Sequence, residues 1–334
     1  MKDDNNAKVY KFYPMPDLLE EEIISSISNG KTLEDIGREI IRKHPRDNTY
    51  ETLSLSYKSL YSLFYLLIKK KIWLSDISKF NDMTETNILS SLKAFNKISP
   101  DQNIPKEKIN KSTFNDSGKE FKTLTLNTSE YLSDWGGISF TSSLSSPMMW
   151  GTCYGNDHNS ICIEYKADQE VINSYDAQSH YIIPFSAKEE FIYNFMGKVV
   201  YQTPKEAGNL SDLMIETAES CMEELQRSPI INRIFNNSPF LYFLIRWLFT
   251  KHIDWAYEHE FRVIVNKKPN HILLSSLKCR SHNDPLFDIE KIILGQKVDP
   301  NIKTLFLQSF PRDILFETTV GIACQKSFVT PYQY

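Results

Sequence analysis

The sequence predicts an α+β fold in which a mixed or antiparallel split sheet is flanked by helices. Short β-prone runs are spread along the whole chain, helical patterns of apolar residues separate them at irregular intervals, and no internal repeat is visible. A doubly wound parallel sheet would require a regular alternation of strands and helices, so the irregular order disfavours it. The chain has 334 residues, about the length of two average domains. We predict a single α+β domain, 1–334, that carries insertions.

Residues 9–74 are predicted to form two short strands with helices between them. Residues 9–13 are aromatic and β-prone, and prolines close the run. Asp17 followed by Glu20 resembles a capping box ahead of apolar residues at helical spacing, and Thr32 is placed to cap a second helix. The other elements predicted here are a helix at 51–70 and a strand at 72–74.

Beyond residue 74 the sequence predicts further strands and helices, and two segments of the chain look like insertions. In the run 160–165, Ile161 and Ile163 alternate with polar or small residues, which is typical of a strand. The predicted strands are 137–142, 160–165, 197–201, 261–265, 291–294 and 314–316, and the helices are 207–226, 239–251 and 300–310. The segment 14–55 looks like a helical insertion, and the polar segment 99–129 looks like a loop insertion.

Composition excludes several classes of protein. The net charge is −4, which argues against a strongly basic protein that wraps nucleic acid. The five cysteines include no C-x-x-C pair, and no G-x-G is present, so a zinc knuckle, a disulfide framework and a Rossmann fingerprint are not indicated. The longest apolar stretches are shorter than the roughly 20 residues of a membrane span. We therefore expect a soluble, cytoplasmic protein with no metal and no membrane partner.

The densest polar cluster precedes and enters the predicted strand 261–265. It contains Lys251, Trp255, Glu258, Glu260 and Arg262. On a strand, the last three would share a face, since side chains alternate with a period of two. The arginine would keep one carboxylate ionised, while repulsion between the carboxylates would raise the pKa of the other. Such a pair suits acid–base chemistry or stabilisation of a cationic transition state; an ion-paired strand end with a structural role is the alternative.

A second cluster is rich in hydroxyl groups. Ser139, Thr141 and Ser142 lie at the end of a predicted strand, and Trp150 follows shortly afterwards. These hydroxyls could bind a sugar or orient an acidic group. The alternative is an edge strand whose hydroxyls face water, with Trp150 in the core.

Several short motifs occur along the chain in one order: 10–12, 73–75, 80–82, 149–151 with Tyr154, 162–165, 200–201, Trp255-x-x-Glu258-x-Glu260-x-Arg262 and 292–295. This order resembles the bacterial domain-of-unknown-function family DUF2971. The likeness extends over most of residues 9–320, and it implies no established activity. Members of that family often occur among bacterial defence and mobile-element genes, which suggests an antiviral or toxin role and a partner protein of a defence system.

A fainter resemblance is to ADP-ribosyltransferases that combine an arginine on the first strand, a Ser-Thr-Ser strand and a Glu-x-Glu motif. Residues 139–142 are similar to the second motif and 258–260 to the third, while Lys11 stands where the arginine is expected. This resemblance implies a split mixed sheet around a cleft for NAD, which is the substrate. It also implies that Glu260 bonds the nicotinamide ribose and stabilises an oxocarbenium-like state.

The leading hypothesis is a defence or toxin-type effector that acts as an NAD-dependent ADP-ribosyltransferase or NAD glycohydrolase on an unidentified macromolecular target. Its expected catalytic residues are Glu260, Glu258 and Arg262, and its expected NAD-binding residues are Lys11, Ser139, Thr141, Ser142, Trp255 and Trp150. The alternative is a non-catalytic sensor or interaction module of a defence system. In that case the basic residues 69–71 and 106–122 would contact a partner or nucleic acid. A nuclease is less favoured because no compact set of metal-ligand residues is visible.

Overall fold

The computed structural model describes residues 8–15, 17–43, 55–77, 135–151, 155–169, 171–172, 183–187, 194–203, 210–227, 239–265, 271–278, 284–311, 315–320 and 327–331. The predicted loop 99–129, the motif 80–82 and the basic segment 106–122 lie outside these residues.

An eleven-stranded sheet is the main feature of the described residues, and two pairs of short strands lie beside it. The strands are β1 (Lys8–Pro14), β2 (Lys71–Trp73), β3 (Ser75–Asp76), β4 (Gly136–Thr141), β5 (Ser160–Ala167), β6 (Ile183–Ala187), β7 (Asn194–Lys198), β8 (Val200–Gln202), β9 (Thr250–His252), β10 (Glu260–Val265), β11 (His271–Leu273), β12 (Leu277–Lys278), β13 (Phe287–Leu294), β14 (Leu315–Val320) and β15 (Ser327–Pro331). The order in the large sheet is β12-β6-β7-β10-β4-β1-β5-β13-β14-β15, with β3 paired to β4. Its pairs are antiparallel except for β13 with β14, which are parallel. The separate pairs are β2 with β11 and β8 with β9.

Helices flank this sheet, which confirms the predicted α+β class with a mostly antiparallel sheet. The helices are α1 (Asp17–Ser28), α2 (Leu33–Lys43), α3 (Leu55–Lys69), α4 (Pro147–Gly151), α5 (Leu210–Arg227), α6 (Pro239–Leu248) and α7 (Pro300–Ser309). Helices α1, α2, α3 and α7 contribute to the main apolar core, and α5 packs against α6. As predicted, Thr32 caps α2: its Oγ1 accepts a hydrogen bond from the backbone N–H of Asp35 at 3.2 Å.

The alternation of side chains along the central strands separates an apolar face from a face with polar groups. On β10, Phe261, Val263 and Val265 belong to the main core. Because successive strand residues point to opposite faces, Glu260 and Arg262 lie on the other side. This arrangement turns the predicted polar cluster away from the main core.

Two elements differ from the sequence-based expectation, and both differences affect the site. The predicted strand 197–201 is divided at Val199 into β7 and β8. The predicted helix 239–251 ends at Leu248, because Thr250 enters β9 and its hydroxyl donates to the carbonyl of Arg246 at 3.0 Å. Strand β9 pairs in parallel with β8, and this non-local pairing outweighs the helical pattern of the local sequence.

Candidate active site

Strands β10 and β4 bring the predicted acidic and hydroxyl clusters together. In their antiparallel register, Glu260 is opposite Thr141 and Arg262 is opposite Ser139. Residues directly opposite each other in such a pair share a face of the sheet. The four side chains therefore start from one patch of the sheet, although they come from distant parts of the chain.

Glu260 and Arg262 form a buried, bidentate ion pair. Arg262 Nε lies 2.6 Å from Glu260 Oε1, and Arg262 Nη2 lies 2.8 Å from Glu260 Oε2. The remaining nitrogen of the guanidinium, Arg262 Nη1, donates a hydrogen bond to the carbonyl of Leu248 at the end of α6. Only 5% of Glu260 and 1% of Arg262 is exposed. Charge-assisted pairs of this geometry are among the strongest hydrogen bonds in proteins.

The carboxyl group of Glu260 is held in its ionised form. Burial raises its pKa, but the charges of Arg262 and Lys251 and hydrogen bonds from Arg262 and Ser139 together lower that pKa well below its usual value. Ser139 is partly exposed, so the hydroxyl group that contacts Glu260 lies at the margin of the cluster.

Lys251 links the two glutamates of the cluster. Its Nζ lies 2.7 Å from Glu258 Oε2 and 2.9 Å from Glu260 Oε2. Glu258 is 3% exposed, and the Lys251 ammonium lies 5.5 Å from the centre of the Trp255 ring, within cation–π range. The described cluster therefore combines two carboxylates, two cations and one partly exposed aromatic ring.

Glu258 reaches this position from a turn, which corrects the expectation that it shares a strand face with Glu260 and Arg262. It ends a 3₁₀ helix, Ile253–Glu258, and the next residue, His259, has a left-handed φ of 44°. The carbonyl of His259 accepts hydrogen bonds from the backbone N–H of Ser142 at 2.9 Å and from its hydroxyl at 3.2 Å. The end of β4 thus holds the turn that separates the two glutamates.

Lys11 lies at the margin of the cluster, where β1 and β4 are joined by one register pair, Tyr10 with Thr141. Its Nζ donates to the carbonyl of Ser139 at 3.2 Å. Burial lowers the pKa of Lys11 to about 8, and the nearby charge of Glu260 opposes this shift only partly. The side chain is therefore a partly buried cation that bonds a backbone carbonyl rather than a carboxylate.

Three of the other predicted NAD-binding residues have local partners. Thr141 is buried, and its hydroxyl accepts from the backbone N–H of Ser143 at 3.0 Å. The Ser142 hydroxyl is engaged by His259, as described above. Trp150 is fully buried in a separate apolar cluster with Tyr10 and Phe12, and its indole N–H donates to the carbonyl of Leu144 at 2.8 Å. The structure thus brings Glu258, Glu260, Arg262, Ser139 and Trp255 together, whereas Trp150 belongs to an apolar cluster.

Sequence reasoning assigned no role to Lys251 or Tyr201, which both contact the site. The Tyr201 hydroxyl accepts a hydrogen bond from the backbone N–H of Glu260 at 2.7 Å. Lys251 was visible as a member of the polar cluster, but its contact with the carboxylates depends on the β8–β9 pair. Within the described residues, no group of three or more His, Cys, Asp or Glu side chains is placed to hold a metal ion.

These observations define a class of protein by architecture: an α+β chain with a mostly antiparallel sheet and a buried ionic cluster on one face. Residues 149–263 match a family described as "Protein of unknown function (DUF2971)", which confirms that resemblance. The matched stretch includes Lys251, Glu258, Glu260 and Arg262 but not Ser139 or Lys11. No curated protein and no solved structure is significantly similar to the chain. None of the helices in the described part of the chain is both long and apolar enough to span a membrane.

Proposed function

We propose that the protein is a cytoplasmic defence or toxin-type effector that cleaves NAD and transfers ADP-ribose to a macromolecule or to water. The observation that carries the proposal is the strand register that puts the hydroxyl strand beside the Glu-x-Glu motif, with Thr141 opposite Glu260 and Ser139 opposite Arg262. Glu258 is linked to the same cluster through Lys251. This combination agrees with the resemblance of the hydroxyl strand and the Glu-x-Glu motif to ADP-ribosyltransferases. The ADP-ribosyltransferase-like fold is part of the proposal.

The residues have distinct roles in the proposed reaction. The carboxylate of Glu260 stabilises positive charge on the nicotinamide ribose, and the Ser139 hydroxyl holds the ribose side. Lys11 attracts the diphosphate, because an ammonium has three donors and its hydrogen bond to Ser139 uses one of them. Trp255, partly exposed beside the cluster, supplies an aromatic wall. A fixed charge in a site with little water stabilises a transition state more strongly than it would in bulk water.

The proposed step exchanges one bond at the anomeric carbon of the ribose for another. The glycosidic bond breaks, and its electron pair leaves with nicotinamide. The acceptor atom, from the macromolecule or from water, then bonds to the anomeric carbon. Glu258 orients the acceptor and takes its proton, as expected for a general base.

The test is release of nicotinamide from NAD by the purified protein. We expect release with water as acceptor, or a faster release together with labelling of a target when bacterial protein, DNA or RNA is added. A complete lack of nicotinamide release under all these conditions would overturn the proposal. Intact mass spectrometry of the added macromolecules distinguishes transfer from hydrolysis.

The affinity for NAD should depend on pH through Lys11. Below about pH 8 the ammonium is charged and attracts the diphosphate, whereas above it the amine is neutral and that attraction is lost. We therefore expect the dissociation constant, measured by calorimetry, to increase as the pH rises from 7 to 9.5. In Lys11→Met, binding should be weaker at pH 7 and nearly independent of pH.

Lys8→Met is the matched control for this pH dependence, because Lys8 lies on the same strand. Burial lowers the pKa of Lys8, but its hydrogen bond to Glu164 and the charge of that carboxylate raise it above its usual value. Lys8 consequently keeps its charge across the tested range. If Lys8→Met and Lys11→Met change the pH dependence equally, Lys11 does not bind the diphosphate.

A non-catalytic sensor or interaction module of a defence system is the second candidate function. The observation that favours it is the burial of both glutamates, which are 3% and 5% exposed and are already paired with Lys251 and Arg262. In that function the cluster only fixes the fold. Salt-dependent binding to DNA or RNA without nicotinamide release would support it, since phosphate contacts release counterions.

A further inference from the structure

Two ionised carboxylates in one buried cluster would repel each other, and Lys251 is placed to counter this repulsion. Its Nζ contacts the Oε2 atoms of both Glu258 and Glu260, at 2.7 and 2.9 Å. Like charges at such a site raise the pKa of one carboxyl group, so that one of the two would become protonated without an opposing cation. The side chain of Lys251 is 8% exposed, so water screens this interaction weakly.

The position of Lys251 is itself fixed by contacts to the same site. Lys251 on β9 is opposite Tyr201 on β8, and the Tyr201 hydroxyl accepts from the backbone N–H of Glu260. The β8–β9 pair is thus joined to Glu260 by a neutral hydrogen bond and by an ion pair. The centre of the Trp255 ring lies 5.5 Å from the ammonium of Lys251, so this ring is a third contact of the lysine.

Other charged and polar groups in the described part of the chain also act on Glu260. Arg262 on the same strand binds both oxygens of Glu260. The hydroxyl of Ser139 on β4 contributes to lowering the pKa of Glu260, and the charges of Glu260 and of Lys11 on β1 interact. Among the distances given above, those from Lys251 Nζ join Glu258 to Glu260.

We propose that Lys251 is a positioning residue, whose ammonium keeps the carboxylates of Glu258 and Glu260 ionised and adjacent. This inference deepens the proposed function and rests on it for its catalytic consequence, but its structural content does not require turnover. In the NAD reaction, one carboxylate acts on the ribose and the other on the acceptor. Both must be ionised at the same pH, and Lys251 makes this possible.

The experiment follows the side-chain carboxyl signals of ¹³C-labelled glutamate by NMR as the pH is changed. In Lys251→Met, the higher of the two carboxyl titrations of the cluster should move upward by about one to three pH units. Lys251→Arg keeps a cation and should restore a titration close to that of the unmodified protein. Glu258→Gln and Glu260→Gln assign the two signals, and Lys297→Met, which removes an exposed lysine paired with Asp157, is the control.

A titration in Lys251→Met that matches the unmodified protein would overturn the inference. If Lys251→Met does not fold, the double variant Lys251→Met/Glu258→Gln tests the inference instead. It removes the cation and also the repulsion between the two carboxylates. The double variant should fold and be more stable than the single variant; equal instability of the two would also overturn the inference.

Activity then separates this inference from the proposed function. If the unmodified protein releases nicotinamide, Lys251→Met should shift the acid limb of the pH–rate profile upward, and Lys251→Arg should reverse the shift. If the unmodified protein releases none while the carboxyl titrations still move, the proposed function fails and the role of Lys251 in the cluster stands.

Discussion

Replacing Arg262 with methionine should destabilise the protein by about 3–5 kcal/mol, the cost of removing one partner from a buried ion pair. The guanidinium is 1% exposed and bonds both oxygens of Glu260 as well as the carbonyl of Leu248. Without the guanidinium, the buried negative charge of Glu260 is less well neutralised. The carbonyl of Leu248 also loses the hydrogen bond that Arg262 donates. The free energy of unfolding from urea denaturation, followed by tryptophan fluorescence, measures the effect.

Arg38→Met is the matched control for this stability change. Arg38 also pairs with a glutamate, Glu34, but the two side chains are 60% and 62% exposed. Such exposed pairs contribute roughly 0–1 kcal/mol, so this variant should remain close to the unmodified protein. The double variant Arg262→Met/Glu260→Leu should recover part of the lost stability. If Arg262→Met and Arg38→Met changed the free energy of unfolding equally, the buried pair would stabilise the protein no more than the exposed pair does.

The strands that carry the cluster could be predicted because their signal is local. Residues 261–265 are β-branched and apolar at alternate positions, and the alternation puts Glu260 and Arg262 on one face. The hydroxyl strand was equally visible, since β4 extends over Gly136–Thr141 against a predicted 137–142. What periodicity alone leaves undetermined is that these two strands are neighbours, because pairing in a sheet is non-local.

The parts of the site that could not be predicted depend on tertiary contacts. Glu258 was expected on the strand, but the left-handed His259 puts it on a 3₁₀ turn. Left-handed backbone at a non-glycine residue has no clear sequence signal. Lys251 looked like the end of a helix until its pairing with β8 is considered. Trp150 is fully buried, which agrees with the alternative that places this residue in the core.

Under the proposed function, replacing Glu260 with glutamine should reduce the rate of nicotinamide release by about 10²–10³-fold, the effect of losing one preorganised electrostatic contact to a transition state. Glutamine keeps the shape of the side chain, and its single oxygen can still accept one of the two hydrogen bonds from Arg262, whereas its amide nitrogen cannot accept the other. It carries no charge, however, and cannot stabilise a cationic ribose. The affinity for NAD should change much less than the rate, since the charge acts mainly in the transition state.

Glu164→Gln is the control that separates this catalytic effect from the loss of a buried ion pair. Glu164 lies on β5 of the same sheet, is 3% exposed, and contacts Lys8 at 3.1 Å and Lys291 at 3.4 Å. Its replacement should therefore lower stability without lowering the rate of the folded protein. Rates are compared at a temperature where circular dichroism shows that both variants are folded. If Glu260→Gln then releases nicotinamide as fast as Glu164→Gln, the carboxylate of Glu260 takes no part in the chemistry, and the buried pair is explained by its contribution to folding alone.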